Sequence, residues 1–302
     1  MPADLTTAIS TFTIDLYRQL LSESCGETDD IVISPFSITA ALSITLAGDK
    51  GNTAAEIAKV LHTSGVLNHG QFSEFFARVS TYAPDVMLDI ANCMYAGKTF
   101  VVLEDCLATL KKYSNSTVVP VNFKTEAEAA RLAIDAWVEE TTTSKIKDLL
   151  TNGVVDSDTA LVLVNAIYFK GLWKDQVNSK AISLQEFHTS KESSKEVDMM
   201  YKQSRFGINT ECTDLNANAI EIPCRSGETS MVILLPYDID GLAELEAAFT
   251  PSKLLDILNS LHSRMVALSL PRFKIDYSVN LKQTLFAVGV KHLFSNNAGL
   301  SG

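Results

Sequence analysis

The sequence of 302 residues predicts an α+β domain, helical at the N-terminal end and richer in strands later. Three observations point there. Apolar residues recur at helical spacing in the early segments, short β-branched runs with helices between them fill the later ones, and no regular strand–helix alternation appears of the kind a doubly wound parallel sheet needs. There are no internal repeats, low-complexity runs or Pro/Gly-rich linkers, so residues 1–302 read as a single domain. At 46% hydrophobic and 20% charged, a chain of this length buries a large core.

Each element has its own signal. Over residues 4–22, Leu5, Ile9, Phe12, Leu16 and Leu20 share one helical face, with Asp4 as the expected N-cap. Ile31-Val32-Ile33 is a short apolar run that ends at Ser34-Pro35. Residues 37–47 are apolar almost all round, which predicts a buried helix; Gly48 and Gly51 punctuate its end. Asn52 is placed to cap a third helix carrying Ile57, Val60 and Leu61. Residues 86–95 alternate as a strand does. Thr125-Glu126-Ala127-Glu128 has the form of a capping box opening a helix towards Thr143. Residues 160–169 read as a strand buried on both faces, and 231–236 as another short buried strand. Thr250-Pro251 opens a helix to about Leu261. Val266 to Ile275 is a strand interrupted at Pro271, and a last helix runs from about Ser278 to Gly289.

Composition excludes several classes. A net charge of −11 with no basic run argues against sequence-blind nucleic-acid binding and against anionic membrane surfaces. No stretch is long and apolar enough to span a bilayer. The N-terminus lacks the basic and apolar regions of a signal peptide. Five widely and irregularly spaced cysteines, Cys25, Cys93, Cys106, Cys212 and Cys224, do not make a disulfide framework, and they favour a reducing compartment. Two locations stay open: the cytosol, or the exterior for a secreted chain read without its leader. Only in the second would the sequon at Asn115 be a glycosylation site.

Searching for catalytic chemistry yields decoys. Gly97-Lys98-Thr99 resembles the end of a phosphate loop, but Asn92 stands where such a loop needs a further glycine. There is no Gly-x-Ser-x-Gly elbow. His62, His69, His188, His262 and His292 are scattered, without ligand spacing for zinc. Glu126, Glu128, Glu139 and Glu140 read as the solvated face of an amphipathic helix. No catalytic residue, metal or cofactor is expected, and no enzyme activity.

Three segments supply a different kind of evidence. Asn165-Ala166-Ile167-Tyr168-Phe169-Lys170-Gly171-Leu172-Trp173 resembles the most specific signature of the serpin family. Residues 129–140, running on through Lys145-Ile146-Lys147-Asp148-Leu149-Leu150, resemble the family's F helix and the turn after it, and Ser34-Pro35-Phe36-Ser37-Ile38 resembles the start of its B helix. Fainter matches at 231–236, 270–274 and 300–302 follow in family order, so the resemblance covers the whole chain; within the family it is to arthropod, tick-like members.

The resemblance implies the serpin fold, three β-sheets with about nine helices, and suicide inhibition of a serine protease, trypsin-like or chymotrypsin-like. An exposed loop is offered as substrate and, once cut, inserts as a strand into the central sheet, releasing free energy stored in a kinetic trap. It also implies site residues: Ser37 and Asn165 in the shutter, a hydrogen-bonded cluster holding the central strands closed, and Trp173 and Arg272 in the breach, where the loop first enters. The family's reactive loop and last strands would lie beyond Gly302, so the chain is expected to be C-terminally truncated and its P1–P1′ bond unreadable. A polypeptide ending there is expected to expose an aggregation-prone sheet edge. The alternatives are a non-inhibitory serpin serving as a carrier or binding protein, and a short splice product folding only with a partner. Heparin binding is disfavoured, because residues 71–85 carry Arg78 as their sole base, with Lys111-Lys112 the nearest basic pair.

Overall fold

Leu5, Phe12, Leu16 and Leu20 are buried along one stripe of the first helix, α1 (Ala3–Glu23), as their spacing requires. The computed structural model describes residues 3–24, 30–48, 51–63, 69–98, 117–275 and 277–294. These divide into two compact units: residues 1–81, 87–169 and 276–302, and residues 82–86 and 170–275.

In the first unit, α1 packs with α2 (Pro35–Gly48), α3 (Asn52–Val60) and residues 281–294 around Phe12, Leu16, Ile57 and Val290. Pro35 is the first residue of α2, and Ser34 caps it: its Oγ accepts the Ser37 N–H at 3.3 Å. The expected start at Ser37 therefore moves back by one cap and a proline. α2 is buried nearly all round, as its composition demands. Before α3, Gly51 holds φ 144°, a conformation closed to other residues, and so it precedes the helix while Asn52 sits inside it. The run Ile31–Ile33 forms no strand; Ile31 and Ile33 pack on the α1–α3 core and Val32 points outward. α4 spans His69–Ser80, and its Phe75 ring meets Phe36 at 4.3 Å.

Strands β1 (Val86–Gly97), β2 (Thr117–Val121) and β3 (Leu161–Gly171) form a sheet in the order β2-β1-β3, with β1 and β2 parallel. Helix α5 (Phe123–Thr141) covers one face, burying Ile134 and Val138 against Cys93, Tyr95, Val164 and Ala166. On β3 the odd residues Leu161 and Leu163 turn to the N-terminal helices instead. Both faces of β3 are engaged as expected, but only Val164 and Ala166 are fully buried. The start of α5 differs from its expected capping box. Asn122 is the cap: its Oδ1 accepts the Thr125 N–H, its Nδ2 donates to the Thr125 hydroxyl, and the helix kinks at Glu126. The last helix, α8 (Lys282–Val288), starts later than Ser278, because Asn280 Oδ1 accepts the Lys282 N–H at 3.0 Å and defines the entry. Gly289 closes it.

The second unit is a five-stranded sheet of β4 (Ile182–Ser190), β5 (Ser193–Cys212), β6 (Ala217–Pro223), β7 (Ser230–Pro236) and β8 (His262–Pro271). Helices α6 (Leu242–Ala248) and α7 (Pro251–Ser260) bury Leu245 and Ile257 against Ala217 and Ala219. Thr250 caps α7 as expected, accepting the Lys253 N–H at 3.3 Å. β8 ends at Pro271 rather than running to Ile275, with one last bond to β5 from Arg272 N–H to Asp198 O. Unbroken, β5 pairs with β4, β8 and β6 in turn, so the described strands make two hydrogen-bonded sheets. Gly207 lies where it passes from β8 to β6; a Cβ there would stand 3.0 Å from the Glu221 carboxylate.

Candidate functional site: the buried polar knot

Ser37 is carried inward by α2, a helix with no polar face to offer it. Asn165 lies in the middle of β3, and Asn92 in the middle of β1. The three meet. Asn165 Nδ2 donates one hydrogen to Ser37 Oγ and the other to Asn92 Oδ1, so one amide joins a helix to two neighbouring strands. Ser37 and Asn92 are buried and Asn165 half-buried. In a low-dielectric interior such a network is strong while complete and costly when broken. Sequence reasoning named Ser37 and Asn165 but missed Asn92. A signal was available: asparagine is depleted in strands and Asn92 interrupts an apolar one, which marks a buried polar contact.

Trp173 and Arg272 lie in the second unit. Trp173 bridges to Cys224 just beyond β3, flanked by Lys174 N–H to Pro223 O and Arg225 N–H to Leu172 O. Its half-buried ring lines a groove with Met200, Phe206, Leu268 and Leu270. Arg272 donates its backbone N–H to Asp198 O at 2.8 Å; its side chain is exposed and makes no ion pair among the described residues. Asn115, Lys111 and Lys112 lie outside the described residues, as do Cys25 and Cys106.

Cys93, Cys212 and Cys224 are buried, and burial pushes the Cys212 thiol up from its ordinary value, away from the reactive thiolate. Burial, with Cys93 beside it, also pushes the Tyr95 phenol up. Burial works to raise the Glu56 carboxyl too, but the His292 and Lys291 backbone N–H groups and the His292 ring outweigh it and hold the group low. Among the described residues no group of three or more His, Cys, Asp or Glu is placed to hold a metal ion, and no helix is long and apolar enough to cross a membrane.

One unit is a helix-covered sheet tied by a buried Ser–Asn–Asn knot and the other is built on one long strand, and comparison with known proteins identifies the class. The family model Serpin (serine protease inhibitor) matches residues 7–302. The chain is 46% identical over 303 residues to Ipis-1 of Ixodes persulcatus, covering 100% of this chain and 80% of that one. It is 40% identical over 306 residues to leukocyte elastase inhibitor A of Mus musculus, covering 99% and 80%. Among solved structures, uncleaved ovalbumin superposes with a TM-score of 0.92 at 30% identity, covering 99% and 80%, and Serpin48 of Tenebrio molitor with 0.90 at 30%, covering 100% and 82%. The chain belongs to the serpin family, with the likeness to tick members that its sequence suggests.

Proposed function

We propose that this protein is the scaffold of a serine-protease inhibitor that acts as a suicide substrate. The observation that carries the reading is the Ser37–Asn92–Asn165 knot, which ties β3, an edge strand of its sheet among the described residues, to β1 and to α2. A sheet able to accept a further strand must be held shut until one is offered, and a hydrogen-bonded cluster does this without adding bulk. On this reading Ser37 and Asn165 form the shutter, now joined by Asn92, while Trp173 and Arg272 mark the point of strand entry. The partner is a serine protease, as the names of the mouse and family-model matches support. The family model runs across both compact units, which supports reading residues 1–302 as one domain. No cofactor takes part.

The test uses the protein from its native source, with its mass and C-terminal peptides determined first. It is incubated with trypsin-like, chymotrypsin-like and elastase-like proteases and examined on denaturing gels. A covalent complex with one of them, formed at near-equimolar ratio, is the expected result. Cleavage without a complex would assign it to the non-inhibitory members, and so would inertness towards all three.

A further inference from the structure

Asn152 is the one asparagine in the sequence that is followed by glycine. Its turn, Thr151 to Val154, is exposed throughout. A single hydrogen bond closes that turn, from Val154 N–H to Thr151 O at 3.2 Å, and Gly153 holds φ 82°. A Cβ placed on Gly153 would meet nothing within 4 Å. Among the described residues neither the Asn152 side chain nor the Gly153 N–H makes a hydrogen bond. Asn178 and Asn280 are exposed too, but they are held. Each Oδ1 accepts a backbone N–H, from Lys180 at 2.9 Å and from Lys282 at 3.0 Å, and each is followed by a residue with a side chain.

An unpaired carboxamide before an unpaired glycine N–H meets the needs of intramolecular imide formation. Water takes the Gly153 proton, and the Gly153 nitrogen attacks the Asn152 side-chain carbonyl carbon. The new C–N bond closes a succinimide, and the side-chain nitrogen leaves as ammonia. Glycine permits the backbone rotation this requires, since no Cβ obstructs it. Water then opens the ring. Cleavage at the side-chain carbonyl gives aspartate. Cleavage at the backbone carbonyl gives isoaspartate, whose main chain runs through the former side chain and is longer by one carbon.

The neighbouring contacts determine where that extra length is felt. Before the turn, Asp135 Oδ1 accepts the Leu150 N–H at 2.9 Å and Arg131 donates to its carbonyl at 2.7 Å. After it, Asp156 Oδ1 accepts the Asp158 N–H and the Thr159 hydroxyl, while Thr159 Oγ1 accepts the Asp156 N–H. Between these two tied points stands Val155, 6% exposed and packed in the core with Ala130, Ile134 and Val138.

We infer that Asn152–Gly153 is a site of spontaneous deamidation and isomerisation, that its isoaspartate is methylated in the folded chain by an S-adenosylmethionine-dependent isoaspartate methyltransferase, and that its formation loosens Val155 from the core. The freed α-carboxylate takes the methyl group as an ester and S-adenosylhomocysteine leaves. The inference is independent of any inhibitory activity.

The full chain is aged in neutral buffer and mapped by peptide mass spectrometry, with purified methyltransferase and radiolabelled S-adenosylmethionine as the probe for isoaspartate. Conversion at Asn152 ahead of Asn178 and Asn280 is expected, as is loss of methyl uptake by the peptide containing residue 152 in Asn152→Gln. Retention of the Asn152 amide while the other two convert overturns the site, and conversion to aspartate alone overturns the cyclic route. Methyl uptake only after unfolding in urea overturns modification of the folded chain. The aged form gains one negative charge and separates by ion exchange. Its hydrogen–deuterium exchange at residues 154–155 should be about tenfold faster, with α1 and β1 unchanged. Equal exchange in the two forms overturns the effect on Val155.

Discussion

Replacing Asn165 by alanine leaves Ser37 Oγ and Asn92 Oδ1 without their donor, at positions 0% and 9% exposed. A stranded buried acceptor costs about 1–3 kcal/mol, so Asn165→Ala should destabilise the protein by about 2–4 kcal/mol. Ser37→Ala should cost only about 1 kcal/mol, because the half-buried Asn165 amide can turn its freed N–H towards water. In the double variant, Asn165 no longer seeks a partner at Ser37 and only Asn92 is stranded. The double variant should therefore be less damaged than the sum of the singles by about 1 kcal/mol, well above the scatter of independent sites. Urea unfolding followed by far-UV circular dichroism on the four proteins closes the cycle. Additive losses would refute the knot as a coupled unit and return Ser37 to an ordinary helix residue.

Other outcomes follow from the same geometry. Ile134→Ala, at a fully buried site between α5 and the sheet, should cost about 2–5 kcal/mol in the same assay. Gly289→Ala should cost about 1–2 kcal/mol, since Gly289 holds φ 125° at the end of α8, and Gly289→Asn should be milder. The folded-state Glu56 carboxyl lies below its unfolded value, so its contribution is fully present above the unfolded pKa and is lost as pH falls through the folded one. Glu56→Gln should accordingly lower the Tm at neutral pH and flatten the fall in Tm below about pH 5; an unchanged acid limb would remove Glu56 from the linkage. Weak retention on heparin at physiological salt is also expected, and strong retention would point to cations outside residues 71–85.

Much of the fold could be read from the sequence because its signals are local. The α1 stripe, the buried α2 and the Thr250-Pro251 start of α7 each need only a few neighbouring residues to explain them. The misses have a common cause, competition between local partners. Thr125 has the look of a cap, but Asn122 caps the helix three residues earlier and accepts the N–H of Thr125 itself. Ser37 looked like a helix start, yet Ser34 and Pro35 perform that task and free Ser37 for the core. The site was only half legible for the opposite reason: Asn92 is set 73 residues from Asn165, and no local rule relates them. The hydrogen bonds from Arg131 to the Leu150 carbonyl and from the Leu150 N–H to Asp135 are equally hidden, since both side chains look like ordinary charges on a helix until the following segment folds back on them.

The long strand β5 constrains how this chain can change. At Met199 and Met200 it is paired on both flanks, to β4 and to β8, and at Gly207 and Ile208 to β8 and to β6. One inserted residue between those points would turn every later side chain to the opposite face and shift two ladders together. Length variation among relatives should therefore be excluded from residues 199–208 and gather in the turns at 190–193 and 224–230, whose ends are held in place whatever lies between them.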